Sequence, residues 1–94
     1  MSYIHNNSIL AIKEFINEGI TVRYLLLESS GDNYCTYSAL VSLLDRGCTK
    51  EDYYIPELAH AINTALILFG KLYENKVLPC EIEALYSDGF PDFL

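Results

Sequence analysis

The segment from residue 56 to residue 75 constrains the fold most, because its apolar side chains recur at the spacing of an α-helix. Successive apolar positions stand four, three, four and three residues apart, which places them on one side of a helix. Further apolar residues widen this side until it occupies most of the circumference, as in a helix at the centre of a bundle. We therefore expect a central helix from Pro56 to about Asn75. Its apolar positions are Leu58, Ile62, Ala65, Phe69 and Leu72.

Shorter segments on either side of the central helix are typical of further helices. One ends at Gly19 and another at Gly47, and a glycine just past a helix adopts the left-handed conformation that closes it. Pro79 suits the first turn of a last short helix. The apolar positions of these three segments are Ile9, Ile12 and Ile16; Tyr37, Leu40, Val41 and Leu44; and Ile82, Leu85 and Tyr86.

Residues 20–28 fit either a helix or a strand. Ile20, Val22 and Tyr24 alternate as in a β-strand, whereas Thr21 can cap a short helix. A strand needs a second strand to pair with, and the neighbouring segments have helical spacing. We favour a short helix here and keep a short strand as the alternative.

The whole chain, residues 1–94, is predicted to form a single acidic helical domain. Hydrophobic residues make up 51% of it and charged residues 20%, which is too apolar for a disordered chain. Its length leaves room for one domain only. The expected fold is all-α, a small four- to five-helix bundle, and the alternative is an α+β fold with a short strand at 20–28.

The charge of the chain argues for a protein partner. Thirteen acidic residues against six basic ones give a formal net charge of −7. Phosphate groups are bound by clustered Lys and Arg, so we expect no direct nucleic-acid binding and no binding to an anionic membrane. A basic protein is the expected partner. Acidic residues near the C-terminus are Glu81, Glu83, Asp88 and Asp92.

No sequence motif indicates catalysis or a cofactor. The chain has no glycine-rich phosphate loop, no HExxH and no GxSxG motif. Cys35, Cys48 and Cys80 lack the close spacing of a zinc site, so we expect reduced thiols and no metal. We expect a protein that is not an enzyme and holds no cofactor.

Residues 51–57 place two adjacent tyrosines among acidic residues. We expect a short helical turn that Pro56 separates from the main helix. Adjacent helical side chains point about 100° apart, so at least one tyrosine should lie at the surface, where aromatic anchors and carboxylates suit a basic partner. The predicted partner-binding residues are Glu51, Asp52, Tyr53, Tyr54, Glu57, Glu81, Glu83 and Asp88.

The same segment is similar in chemistry to the Asp-plus-Tyr-Tyr-Pro segment by which the small acidic four-helix immunity proteins of nuclease bacteriocins hold their toxins. This resemblance implies a contact surface on Asp52, Tyr53 and Tyr54. It implies nothing about the rest of the chain.

These patterns predict a non-enzymatic inhibitor or immunity protein that neutralises a toxin, a nuclease with a basic cleft. Two alternatives remain: a phage or mobile-element counter-defence protein that acts as an acidic mimic or plug on a CRISPR or restriction complex, and a small dimeric adaptor or regulatory protein. No targeting segment follows the first basic residue, Lys13, so the cytoplasm is the expected location. Apolar residues predict a homodimer, namely Ile67, Phe90, Phe93 and Leu94.

Overall fold

The described part of the chain forms a four-stranded antiparallel β-sheet followed by an α-helix and a short helical turn. A computed structural model describes residues 7–30 and 35–82. The strands lie in the order in which they occur in the chain. The predicted all-α bundle is therefore wrong, and the strand considered at 20–28 exists as one of four. The elements are β1 (Asn7–Asn17), β2 (Ile20–Ser30), β3 (Cys35–Asp45), β4 (Cys48–Ala59) and α1 (Ile62–Glu74).

Gly19 and Gly47 turn hairpins rather than end helices. Glu18 and Gly19 have φ angles of 52° and 84°, and Arg46 and Gly47 have φ angles of 52° and 86°. Two consecutive positive φ angles define the two-residue turn that matches the twist of antiparallel strands. A left-handed glycine serves a helix end and such a hairpin equally well, so the glycines did not distinguish the two folds.

A β-bulge explains the helical spacing in the first segment. The pairing of β1 with β2 shifts between Ile9 and Ala11, so Leu10 is an extra residue. Because of it, Ile9 and Ile12 fall on the same face of the sheet although they are three residues apart, and Ile16 follows at an even spacing. The spacing of three and then four residues between these isoleucines, which predicted a helix, comes from a strand that contains a bulge.

The central helix is shorter than predicted. It begins at Ile62, and the segment around Pro56 belongs to β4. At this point β4 has three residues, 56–58, opposite the single residue Ser38 of β3. Proline lacks an N–H and is tolerated at a bulge on an outer strand.

The core lies between α1 and one face of the sheet, which we call the helix face. Tyr24 is completely buried at its centre, where its hydroxyl donates a hydrogen bond to the Val77 carbonyl oxygen at 3.0 Å. Its ring meets the ring of Tyr73 edge to face, with 5.8 Å between the centroids. Ile82, in the helical turn 79–82, completes the core, whereas the predicted helix residues Leu85 and Tyr86 lie outside the described residues. Other buried residues of this core include Val22, Leu26, Ala39, Val41, Ile55, Ala65, Phe69 and Leu72.

The opposite face of the sheet, which we call the open face, is also rich in apolar residues. One row across the four strands consists of Ile12, Leu25, Leu40 and Tyr54, which lie opposite one another in the strand register. Since both faces are apolar, β3 has no simple alternation, and this is why Tyr37, Leu40, Val41 and Leu44 resembled a helix.

Replacing Tyr24 by phenylalanine should lower the free energy of unfolding by about 1 to 2 kcal/mol. The variant removes the buried hydroxyl and leaves the Val77 carbonyl without its partner. Urea unfolding followed by circular dichroism measures the change. Tyr53→Phe, at a half-buried tyrosine on the same face, is the control and should cost less than about 0.5 kcal/mol.

The protein should lose stability at alkaline pH. Burial, together with the nearby Glu81 and Tyr73, raises the pKa of Tyr24 from 10.0 to about 12. Above pH 10 the unfolded chain releases a proton that the folded chain keeps, so stability present below this pH is lost as the pH rises through about 12. Unfolding midpoints measured between these values should fall steadily, and less so in Tyr24→Phe.

Ser38→Ala should leave stability unchanged or raise it by up to about 1 kcal/mol. The Ser38 hydroxyl is buried and has no hydrogen-bond partner in the described part of the chain. Removing an unsatisfied polar atom ends its desolvation cost. Ser42→Ala, a half-buried serine on the same strand and face, is the comparison; a marked loss for Ser38→Ala alone would mean that the hydroxyl is bonded.

Candidate functional site

The predicted acidic segment lies on an outer strand of the sheet, not in a helical turn. Glu51, Asp52, Tyr53, Tyr54 and Glu57 all belong to β4, which among the described strands pairs only with β3. The three carboxylates are exposed and both tyrosines are half-buried. The expected helical turn was wrong because the acidic residues that would cap it instead lie along an exposed strand.

The strand separates the predicted residues onto two faces. Tyr53 lies opposite Val41 on the helix face and packs against the core, while Tyr54 lies opposite Leu40 on the open face. Neighbouring residues of a strand point in opposite directions. The two tyrosines are consecutive along β4, but they do not form one contact surface because they lie on opposite faces of the sheet.

A groove on the helix-face side of β4 brings together residues that the sequence did not connect. It has a volume of about 240 Å³ and is lined by Glu51, Asp52, Tyr53, Pro79 and Cys80. We call it the β4 groove. The sequence predicted its first three residues, but it gave no sign that Pro79 and Cys80 would form the opposite wall.

The helical turn 79–82 forms that wall and is held by its own hydrogen bond. The Leu78 backbone N–H donates to Glu81 Oε1 at 2.8 Å, as in a helix start where a carboxylate satisfies a free backbone donor. Pro79 and Ile82 are buried beneath it. Glu81 thus has a local structural role next to the groove.

Two predicted acidic residues cannot be placed. Glu83 and Asp88 lie outside the described residues, as do the apolar positions Phe90, Phe93 and Leu94. Of the predicted dimer residues, only Ile67 is described. Its side chain is exposed on α1.

The groove is negative. Neither Glu51 nor Asp52 has an ion-pair partner within residues 7–30 and 35–82. The Glu51 charge lies on the same face as the Tyr53 ring, beside a wall made of an apolar proline and a thiol. Asp52 lines the groove from the strand between them, and its register position opposite Ser42 puts its side chain on the open face. This combination suits a lysine or arginine side chain, because carboxylates hold its charge and an aromatic ring packs against its stem or guanidinium plane.

A second cluster of polar groups lies at the other end of the helix face. Glu28 Oε2 accepts a hydrogen bond from the Tyr37 hydroxyl at 3.3 Å and lies 3.5 Å from Cys35 Sγ. Hydrogen bonding to Cys35, burial and the Glu28 charge raise the pKa of Tyr37 to about 12. The cluster is therefore a hydroxyl and a carboxylate joined by a hydrogen bond beside a half-buried thiol.

The remaining sequence candidates lie apart from one another. Cys48, Cys80 and His60 are exposed on different elements. In the described ranges, no three His, Cys, Asp or Glu residues come together as a metal site would require. Within the same ranges, no helix is long and apolar enough to cross a membrane.

Comparison with protein-family models, with curated proteins and with solved structures finds no match to this chain. The β4 groove is therefore interpreted from its own residues.

Proposed function

We propose that this protein is a non-enzymatic inhibitor that acts in the cytoplasm by binding a basic protein, in particular a toxin nuclease. The observation that carries the proposal is the β4 groove, where Glu51, which has no ion-pair partner within residues 7–30 and 35–82, lies beside Tyr53 with Asp52 between them on the strand. Nucleases bind phosphates through Lys and Arg, so an acidic groove on an acidic protein can occupy the same basic residues.

Side chains, rather than the free backbone edge of β4, form the recognition surface in this proposal. Pro56 removes a backbone donor from β4, and the bulge opposite Ser38 breaks the regular pattern of the strand. Both features hinder the addition of a partner strand. A long basic side chain can enter the groove without pairing with the backbone.

The net charge of −7 supplies the long-range part of binding. Opposite charges accelerate the encounter, and contacts inside the groove set how long the complex lasts. The acidic residues are the steering element and Tyr53 is the anchor.

Charge reversal in the groove should slow association with the partner and reduce its salt dependence. The variant is Glu51→Lys with Asp52→Lys, and the partner is the protein that the chain captures from its native cells, purified and measured at two salt concentrations. Glu18→Lys with Glu74→Lys changes the net charge equally at exposed residues away from β4 and is the control. If both double variants associate equally fast, net charge alone governs binding and the groove does not.

Filling the groove should accelerate dissociation. Cys80→Arg places a long positive side chain in the groove, whereas Cys48→Arg alters an exposed cysteine at the start of β4 that does not line it. We expect dissociation at least about tenfold faster for the first variant only. A nuclease assay of the captured partner, with and without the inhibitor, tests neutralisation; full nuclease activity in the complex would contradict it.

A further inference from the structure

The open face carries an apolar surface that the described helices do not cover. Both α1 and the helical turn 79–82 pack on the helix face. Across the open face, Ile12, Leu25 and Leu40 form a continuous row that ends at Tyr54. Ile12 is 57% exposed and Ile16, two positions further along this face of β1, is 69% exposed. Leu25 and Leu40 are half-buried, so the apolar surface is most exposed on β1 and continues toward the middle of the sheet. A contiguous apolar surface of this kind marks an interaction site.

The charges on this face identify which partner it suits. Next to the apolar row, the Arg23 guanidinium Nε lies 2.6 Å from Glu14 Oε2, so the two charges neutralise each other. Glu14 and Arg23 belong to a second row of the open face, which continues through Ser42 and ends at Asp52 on β4. A strongly basic or acidic partner gains little from a nearly neutral surface. Two copies of a chain with net charge −7 repel each other least where the charge is lowest.

The size of the face is sufficient for a dimer. Strands of 11 or 12 residues, at about 3.3 Å per residue and about 4.8 Å between strands, give one face of about 700 Å². The end that contains Leu27 and Ser38 is already buried. Leu44, near the opposite end of this face, is buried as well. The rest, about 450 Å² on each copy, gives about 900 Å² in total, which is near the lower limit for a specific interface and fits a weak dimer.

We propose that two copies of this chain pack open face against open face as a symmetric dimer. The two sheets form a sandwich with a spacing of about 10 Å, in which the isoleucines and leucines of both copies interdigitate. The same surface serves both partners, as a two-fold axis requires. The β4 groove opens on the helix-face side, so each copy keeps one groove for a basic partner. This inference is independent of the proposed function.

Sedimentation of the full chain at high micromolar concentration tests the dimer. The parent protein should sediment as a dimer, and Ile12→Lys should weaken dimerisation at least about tenfold, because a charged side chain would then be buried without a partner. Ile67→Lys is the matched control. Ile67 is 60% exposed but lies on α1, and its variant should remain dimeric.

A second variant distinguishes this dimer from one joined along the outer edge of β1. Ser42 lies on β3, within the sheet, and faces the middle of the open face beside Asp52. Ser42 lies between Arg23 of β2, whose charge Glu14 neutralises, and Asp52 of β4, with which Ser42→Arg can pair in the monomer. The bulk of the new side chain separates two facing sheets. The variant should give a monomer.

Three results would overturn the proposal. A parent chain that is monomeric at high micromolar concentration has no such interface. A dimer that persists in both Ile12→Lys and Ser42→Arg uses another surface. A dimer that Ile12→Lys breaks and Ser42→Arg leaves intact is joined at the β1 edge. Circular dichroism of each variant establishes that it is folded.

Discussion

The sheet has apolar residues on both faces, whereas α1 packs on one face only, and the rest of the structure depends on this difference. The strands carry apolar residues on both faces, but α1 is a single helix of 13 residues and packs on one of them. Tyr24 anchors that packing through its hydrogen bond to Val77 and its contact with Tyr73. No described helix packs on the second face, although Leu27 and Ser38 at one end of it are buried.

The two candidate surfaces have opposite character because they use different parts of the same strands. The β4 groove is acidic and small, and it depends on a wall supplied by residues 79 and 80. The open face is broad, apolar and nearly neutral around the Glu14 and Arg23 pair. The two proposed sites lie on opposite faces of the sheet, and Asp52 belongs to both because it lines the groove and occupies an open-face position of β4.

The sequence predicted local features better than their arrangement. It placed breaks in the chain at Gly19 and Gly47, although it interpreted them as helix ends rather than hairpin turns, and it predicted most of α1. The strands were missed because Leu10 adds a bulge that imitates helical spacing, and because β3 is apolar on both sides. The prediction of one contact surface for Tyr53 and Tyr54 depended on a helix, in which adjacent side chains point about 100° apart. In a strand, adjacent side chains point to opposite faces of the sheet.

The wall of the groove could not be predicted for a different reason. Nothing in the spacing of Glu51 and Pro79 links them, since their proximity results from the path of the chain over the helix face. Such long-range contacts depend on the topology of the whole chain. The local preferences of single segments, on which the predictions from the sequence rest, do not indicate which distant segments meet.

The two outer strands of the sheet differ in a way that limits its growth. β4 carries Pro56, a bulge and a run of charged residues, whereas β1 is long and largely regular. A sheet with one blocked edge cannot add copies in both directions, so end-to-end stacking into a fibril stops after a single pairing. The proline that interrupts β4 thereby opposes edge-to-edge association of a sheet whose described open face is apolar.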